Sequence, residues 1–274
     1  VVLLFAATHS VSAQESNLST TTISTTTSEL SEEIAEPVKW YRSDRISGNP
    51  LVGDFVVGPG RAELNIAPGE TIVTEISVTN RISDNRDFRI EIEDVTGSTD
   101  GSSALTIVED AEGPYSLRDY VTFPEDVITL ELGERAWIPV TISLPPNIDP
   151  GGLYGTVLIS TVQQSAQTVS DAPRNPIIAR VGSHIFLNVE GEKVVGGKSI
   201  DIKTLPSKWW YESGPLTFGI SYENEGSVHL NPYGEISVKN MFGQEVGYVE
   251  LDPWFVLPTS LRTREIDWDR EFLF

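Results

Sequence analysis

Apolar and polar residues alternate along much of the chain after residue 60, with the period of two that a half-buried β-strand requires. The longest run covers residues 136–144, where alanine, isoleucine, valine and leucine occupy every second position. Residues 88–92 and 128–132 repeat the pattern, and 153–162 is apolar on both faces, as is typical of a central strand. No helical pattern continues beyond two turns, so the sequence predicts an all-β protein.

Turns rich in glycine and proline separate the predicted strands. Those at residues 67–69 and 132–134 each contain a glycine and precede a long alternating strand. This is expected where a β-sandwich passes from one sheet to the other. A further turn, at 149–152, precedes the predicted central strand. The arrangement predicts immunoglobulin-like sandwiches.

Glycines between residues 190 and 199 interrupt the pattern and indicate a boundary between two domains. We expect one Ig-like sandwich over residues 38–190 and a second Ig-like module over 191–274, incomplete at its C-terminal end. A hairpin turn is predicted at 241–244. Strands of the second module are predicted near residues 199–205, 216–224, 234–240 and 246–251.

The N-terminal residues have a different composition. An apolar run is followed by Val11-Ser12-Ala13, with small residues where signal peptidase reads them, so residues 1–13 are predicted to be a truncated signal peptide. Residues 14–37 are rich in serine and threonine and are predicted to be a disordered spacer. The chain is therefore expected to be exported to the cell surface, with any membrane anchor in an unseen C-terminal segment.

Charge and cysteine content narrow the range of partners. Forty acidic residues against 19 basic ones give a net charge of −21. Nucleic acid is excluded as a partner because phosphate binding requires clustered lysine and arginine. Direct contact with an anionic membrane surface is disfavoured for the same reason. The chain has no cysteine, so it forms no disulfide and performs no thiol chemistry.

Candidate catalytic residues are few. Of the three histidines, His9 lies in the predicted signal peptide, and His184 lies in an alternating strand and is interpreted as structural. Neither His184 nor His229 is accompanied by a Gly-x-Ser-x-Gly elbow or by the cysteines and histidines of a zinc site. Acidic pairs such as Glu91 and Glu93 arise by chance in so acidic a chain. The sequence predicts that the protein is not an enzyme and has no organic cofactor.

Four acidic residues form a candidate metal site. Asp94 and Asp100 flank a loop of glycine, serine and threonine, and Glu109 and Asp110 follow it. Carboxylate oxygens are the ligands that calcium prefers, and all four side chains are expected to lie in loops that are free to bind it. Their spacing is not that of a dedicated calcium loop, so a plain acidic loop is the alternative.

Trp209, Trp210 and Tyr211 form a candidate binding platform. Adjacent residues of a strand point to opposite faces, so at least one of these rings should lie outside the core. That ring either seals the contact between the two modules or stacks on a sugar or on an apolar patch of a partner.

Five short motifs in the first module are mostly turns. They are IAPGE at 66–70, VTN at 78–80, YSLRDYV at 115–121, LGE at 132–134 and PGGLYG at 150–155. With these motifs, the stretch from residue 55 to about 189 resembles the WxL-interacting surface proteins of Gram-positive bacteria. The resemblance implies an Ig-like module associated with peptidoglycan and a second module that contacts other ligands.

The sequence therefore predicts a non-enzymatic scaffold or adhesion protein of the bacterial cell surface. Its expected partners are cell-wall glycan or peptidoglycan, a surface partner protein, or both. One alternative is a pilus-type periplasmic chaperone, which also has two Ig-like domains but needs basic residues at the cleft to hold a subunit's carboxylate. The acidic sequence shows no obvious candidates for them. The other alternative is a carbohydrate-active enzyme, which an assay of glycan turnover would detect.

Overall fold

The computed structural model describes residues 39–48, 52–108, 113–162, 179–208, 211 and 214–269. These residues form sixteen β-strands and a single turn of 3-10 helix, Arg118–Tyr120, so the predicted all-β class is confirmed. None of the described helical structure has the length and hydrophobicity of a membrane span. The predicted signal peptide and spacer, residues 1–13 and 14–37, lie outside the described residues.

The first eleven strands form an Ig-like sandwich. They are β1 (Arg42–Arg45), β2 (Val56–Gly58), β3 (Arg61–Ile66), β4 (Thr71–Thr79), β5 (Arg86–Thr96), β6 (Thr106–Val108), β7 (Val121–Thr122), β8 (Val127–Leu130), β9 (Glu134–Ser143), β10 (Gly151–Thr161) and β11 (Arg180–Val189). One sheet has the order β1-β9-β4-β2, with β7 beside β9, and the other has the order β3-β11-β10-β5-β6, with β8 beside β5. The predicted central strand, β10, lies between β11 and β5.

Strand β9 shows how the sequence pattern produces the core of this sandwich. Ala136, Ile138, Val140 and Ile142 are fully buried, and the residues between them are only partly buried. Each aliphatic side chain removed from water in this way contributes about 1.5–3 kcal/mol before the entropy of ordering is subtracted. The alternation therefore determines which face of β9 meets the opposite sheet.

The second Ig-like sandwich is smaller. Its strands are β12 (Gly197–Leu205), β13 (Leu216–Asn224), β14 (Gly234–Lys239), β15 (Glu245–Leu251) and β16 (Leu261–Trp268). One sheet has the order β12-β13-β16 and faces the hairpin β14-β15, whose turn lies at the predicted residues 241–244. The four predicted strands are confirmed. Strand β16 was not predicted, because charged residues on it obscure the alternation.

A buried asparagine joins the end of β4 to β8 in the first sandwich. Asn80 follows β4 and is fully buried. Its side-chain amide donates to the carbonyls of Asp84 at 3.0 Å and Leu130 at 2.9 Å, and its oxygen accepts the backbone N–H of Ile82 at 2.9 Å. These bonds give partners to three backbone groups, of which the Leu130 carbonyl is buried and the other two are partly buried.

The second sandwich repeats this arrangement at Asn224. Its amide donates to the carbonyls of Val228 and Val256, both at 2.8 Å, and its oxygen accepts the backbone N–H of Gly226 at 2.9 Å. Asn224 is also fully buried. Each sandwich therefore has a buried asparagine that bonds to nearby backbone groups in the same pattern, although the surrounding sequences differ.

Backbone hydrogen bonds and a small apolar cluster join the two sandwiches. The N–H of Gly152 donates to the carbonyl of Ser227 at 2.8 Å, and the N–H of Leu261 donates to that of Ser98 at 2.9 Å. The cluster consists of buried side chains from both sandwiches: Val95, Tyr154, Phe186 and Leu257. The domain boundary was predicted between residues 190 and 199. Residues 190–196 of this range connect β11 to β12, which begins at Gly197, and independent folding of the two domains stays a prediction.

A candidate binding cleft between the two sandwiches

A cleft of about 610 Å³ lies between the two sandwiches. One wall is the start of β3, which is the outermost strand of its sheet. The other wall consists of β16 and the loop that precedes it. The side chains that carry the chemistry are Arg61, Glu63, Trp254, Phe255, Arg262 and Arg264.

Two of the three arginines come from one face of β16. Arg262 and Arg264 are two positions apart on the strand, so both side chains point into the cleft. Arg262 donates to the carbonyl of Phe255 and lies 4.2 Å from the centre of its ring. Arg264 donates to the carbonyl of Asp252 at 2.7 Å and lies 5.5 Å from the ring of Trp254. Ring stacking and carbonyl bonds thus orient both guanidinium groups.

The third arginine reaches the cleft from the other sandwich. Arg61 lies 5.2 Å from the ring of Phe255 and forms an ion pair of 3.0 Å with Glu63. Burial lowers the pKa of the Arg262 guanidinium, and repulsion from Arg264 and Arg61 lowers it further. Within the described part of the chain, neither Arg262 nor Arg264 forms an ion pair with a carboxylate. The cleft therefore concentrates positive charge in a chain of net charge −21.

Trp254 also lines the cleft. The residue is only 7% exposed, and its indole N–H has no hydrogen-bond partner. A buried N–H without a partner is uncommon, since leaving it unpaired costs about 1–3 kcal/mol.

A second cavity, of about 340 Å³, continues the cleft along β3. The two cavities share Glu63, and the second also contacts Leu64 and Asn65 of the strand, with Lys193 and His229 on its opposite side. The second cavity also contacts Phe186 and Asn188 of β11, so the two cavities together form a groove over the face of β3 and β11 that meets the second sandwich, with the three arginines at the end where β3 begins. We call this feature the β3 groove.

The sequence did not predict the β3 groove. Its acidic composition indicated no basic residues for a cleft, and the structure shows that this was wrong, since Arg61, Arg262 and Arg264 are brought together there. The one available signal was the Arg-Thr-Arg spacing at 262–264, which places two cations on one face if the segment is a strand.

The predicted aromatic platform is described at only one position. Trp209 and Trp210 lie outside the described residues. Tyr211 packs against the cluster of Leu216, Phe218 and Trp268, and its hydroxyl bonds to Thr204 at 2.8 Å. Tyr211 therefore helps to close the second sandwich, and the binding role of the platform stays a prediction.

Asp94 does not lie in a loop, as the sequence analysis expected. It belongs to β5 and is 5% exposed. One carboxylate oxygen accepts the backbone N–H groups of Leu117 and Arg118, both at 2.9 Å, and the other accepts the hydroxyl of Ser116 at 2.5 Å. The carboxylate holds the start of the 3-10 turn, so the expectation that its oxygens are free was wrong.

Asp100 does lie in an exposed loop. Hydrogen bonds from Ser102, and then from Ser98, lower the pKa of its carboxyl to about 2. Glu109 and Asp110 lie outside the described residues. Among the residues that the structure does describe, no three acidic, histidine or cysteine side chains group as metal ligands would, and calcium binding stays a prediction.

No protein-family model matches the chain, and the search of curated proteins finds no relative, so the resemblance to WxL-interacting proteins stays a prediction.

Several solved structures of bacterial pilus chaperones are distantly similar. A chaperone–tip adhesin complex of CFA/I fimbriae is 12% identical with a TM-score of 0.44, covering 77% of this chain and 85% of that one. The Escherichia coli chaperone DraB is 12% identical with a TM-score of 0.41, covering 78% and 85%. The CsuC–CsuE complex of Acinetobacter baumannii is 11% identical with a TM-score of 0.40, covering 79% and 89%. Similarities this weak carry no argument about what this chain does.

Proposed function

We propose that this chain is a non-enzymatic binding protein of the bacterial cell envelope, which holds an extended, acidic-ended segment of a partner protein in the β3 groove. The observation that carries the proposal is the cluster of Arg61, Arg262 and Arg264 at one end of the groove. Export is part of the proposal and depends on the signal-like sequence of residues 1–13.

Charge supports an anionic ligand. Two of the three guanidinium groups donate only to backbone carbonyls, which leaves further N–H donors of each available. Arginine pairs with carboxylates through two parallel hydrogen bonds, and such bonds are stronger than those between neutral groups. The local cluster also explains how so acidic a protein could attract an acidic partner, because the cleft is partly screened from the rest of the surface.

The shape of the groove supports an extended protein segment. β3 pairs with β11 on one side and, among the described residues, is the last strand of its sheet on the other, so a segment that lies in the groove lies along an edge strand. A free strand edge can accept a further strand through backbone hydrogen bonds. The arginines lie at the N-terminal end of β3, so a segment with an acidic C-terminus would run antiparallel to β3.

The two described histidines support a binding protein over an enzyme. His184 bonds to the hydroxyl of Thr156 at 2.6 Å within the first sandwich, and His229 contacts Tyr154 at the junction of the two sandwiches. Neither forms the chain of nucleophile, base and orienting carboxylate that acyl transfer requires.

Peptide binding tests the proposal. The probe is a labelled peptide of alternating valine and threonine that ends in two aspartates with a free C-terminal carboxylate. We expect the double variant Arg262→Gln, Arg264→Gln to weaken binding at least tenfold, since each hydrogen bond to a charged group contributes about 1.5–3 kcal/mol. The matched control is Arg180→Gln, which removes an exposed arginine outside the groove.

The same variants separate the rival ligands. Equal binding by the wild type and the double variant, or no peptide binding by the wild type, would overturn the proposal. Co-sedimentation with purified cell walls that is lost in the double variant would instead assign the arginines to an anionic wall polymer. Binding that survives in the double variant but not in β3 edge variants would assign the segment to the strand edge alone.

A further inference from the structure

His229 lies where the β3 groove meets the contact between the two sandwiches. It belongs to the second sandwich, but its ring packs against Tyr154 and Phe186 of the first, with ring centres 5.8 and 5.2 Å apart. Its side chain is 13% exposed. One edge of the ring therefore faces the groove, and the other lies in the apolar contact.

Hydrogen bonds determine which ring nitrogen faces the groove. The Tyr154 hydroxyl oxygen accepts the backbone N–H of His229 at 2.6 Å and lies 3.3 Å from its Nδ1. A Tyr154 hydroxyl that donates its single proton to Nδ1 leaves the imidazole proton of the neutral ring on Nε2. Nε2 lies 3.9 Å from a carboxylate oxygen of Glu63, whose other oxygen pairs with Arg61.

Charged and titratable groups face His229 from each element packed against it. They are Glu63 and Arg61 from β3, Lys193 from the segment after β11, and Tyr154 from β10. Burial lowers the pKa of His229, Glu63 raises it, and Arg61 and Lys193 lower it. The ring is consequently neutral near neutral pH and gains a proton only as the pH falls below the ordinary range of histidine.

We propose that His229 is a proton-sensitive switch on the β3 groove: when protonated it pairs with Glu63 and so releases Arg61 for the anionic ligand. The inference rests on the proposed function, because it concerns regulation of the same groove. Glu63 carries one negative charge, so an ion pair between its carboxylate and the imidazolium weakens the ion pair between Glu63 and Arg61. The proton also adds one positive charge to the groove itself.

The switch makes ligand binding tighter in acid. Coupling between a proton and a second ligand is reciprocal, so an anion in the groove must also raise the pKa of His229. Coupling free energies between two sites in proteins usually correspond to changes in affinity of about fivefold or more. We therefore expect the acidic-ended peptide to bind about fivefold more tightly at about pH 5.5 than at about pH 7.5, a range in which its own carboxylates stay charged.

Three variants of the full chain test the inference. His229→Gln keeps the backbone N–H that Tyr154 accepts but does not titrate, and should bind the peptide with the same affinity at both pH values. His184→Gln is the control, since burial and Arg61 also lower the pKa of His184; it should keep the fivefold change. Glu63→Gln frees Arg61 at every pH and should bind tightly even at about pH 7.5.

An NMR titration of the histidine rings without ligand separates failure of the switch from failure of the groove. With peaks assigned from the two histidine variants, Glu63→Gln should lower the pKa of His229, because it removes the group that favours the proton. Arg61→Gln should raise it. A His229 pKa that responds to neither change, or a pH dependence retained by His229→Gln, overturns the switch. A wild type that binds no peptide while its His229 pKa responds to both changes would overturn the proposed function and not the pairing of His229 with Glu63.

Discussion

Thr259 of the second sandwich occupies the position that Gly133 occupies in the first. Each residue lies three positions after the carbonyl that accepts from a buried asparagine, Leu130 in one case and Val256 in the other. Each has a positive φ, 78° at Gly133 and 54° at Thr259. Glycine adopts this conformation freely, whereas a β-branched residue adopts it only under strain.

Replacing Thr259 by glycine should therefore stabilise the protein. Relieving a strained φ stabilises the folded state by about 1–3 kcal/mol. Glycine offsets about 0.5–1 kcal/mol of this, because it increases the conformational entropy of the unfolded chain. We expect the variant to raise the free energy of unfolding by roughly 0.5–1 kcal/mol, measured by urea denaturation. Gly133→Ala is the reciprocal variant and should destabilise. A loss of stability in Thr259→Gly would show that its methyl or hydroxyl group contributes more than the strain costs.

The buried asparagines should be needed for stability. Asn80→Ala leaves the carbonyls of Asp84 and Leu130 and the N–H of Ile82 without their partner. An unpaired buried group costs about 1–3 kcal/mol, and the Leu130 carbonyl is buried, so we expect a loss of about 1–3 kcal/mol. The control is Asn65→Ala, which removes an exposed asparagine bonded to Asn188. Similar denaturation midpoints for the two variants would contradict the stabilising role of Asn80.

The hydroxyl of Tyr154 should stabilise the contact between the sandwiches. Burial raises the pKa of this hydroxyl, so it stays protonated and can both accept from the His229 backbone and donate to its ring. Tyr154→Phe should lower the free energy of unfolding by about 1–3 kcal/mol, because it leaves the N–H of His229 without its acceptor. Tyr233→Phe removes a hydroxyl from a residue that is 80% exposed and should change little. Equal effects of the two variants would disprove the prediction.

The stability of the ligand-free protein should fall in mild acid. Burial lowers the folded-state pKa of both His229 and His184 below the ordinary value of 6.5. As the pH decreases through 6.5 the unfolded chain therefore takes up protons first, and the free energy of unfolding decreases. The stabilisation is complete at higher pH and is lost toward the lower folded-state values. Thermal unfolding at about pH 7.5 and about pH 5.5 measures the difference, which should be smaller in His229→Gln. A melting temperature that rises in acid would be the opposite result.

Acid is thus expected to have two opposite effects on the protein. The same proton on His229 lowers the stability of the free protein and strengthens binding of an anion in the β3 groove. The two effects are compatible, because the ligand supplies the negative charge that the protonated groove lacks. A ligand-induced rise in melting temperature should accordingly be larger at about pH 5.5 than at about pH 7.5.

Most strands could be predicted from the sequence because alternation of side chains is a local property of extended backbone. Strands β9 and β10 illustrate this, since one is half-buried and the other central, as their patterns indicate. Strand β16 could not be predicted, because Arg262 and Arg264 occupy one of its faces and look like solvent-exposed charges. Asp94 was misplaced for a related reason: its acidic side chain indicated a loop, whereas three donors from another segment make its burial favourable.

The sequence by itself determined the all-β class, the positions of most turns and the two sets of strands, because each depends on residues that are neighbours along the chain. Only the tertiary structure decided that Arg61 meets Arg262 and Arg264, that His229 lies beside Glu63, and that Trp254 has an unpaired N–H. The first two relationships bring together residues of the two sandwiches that are far apart in sequence. Net charge is a sum over the whole chain and does not show where such residues meet. A chain of net charge −21 can therefore contain a basic groove, since packing and not composition decides which side chains become neighbours.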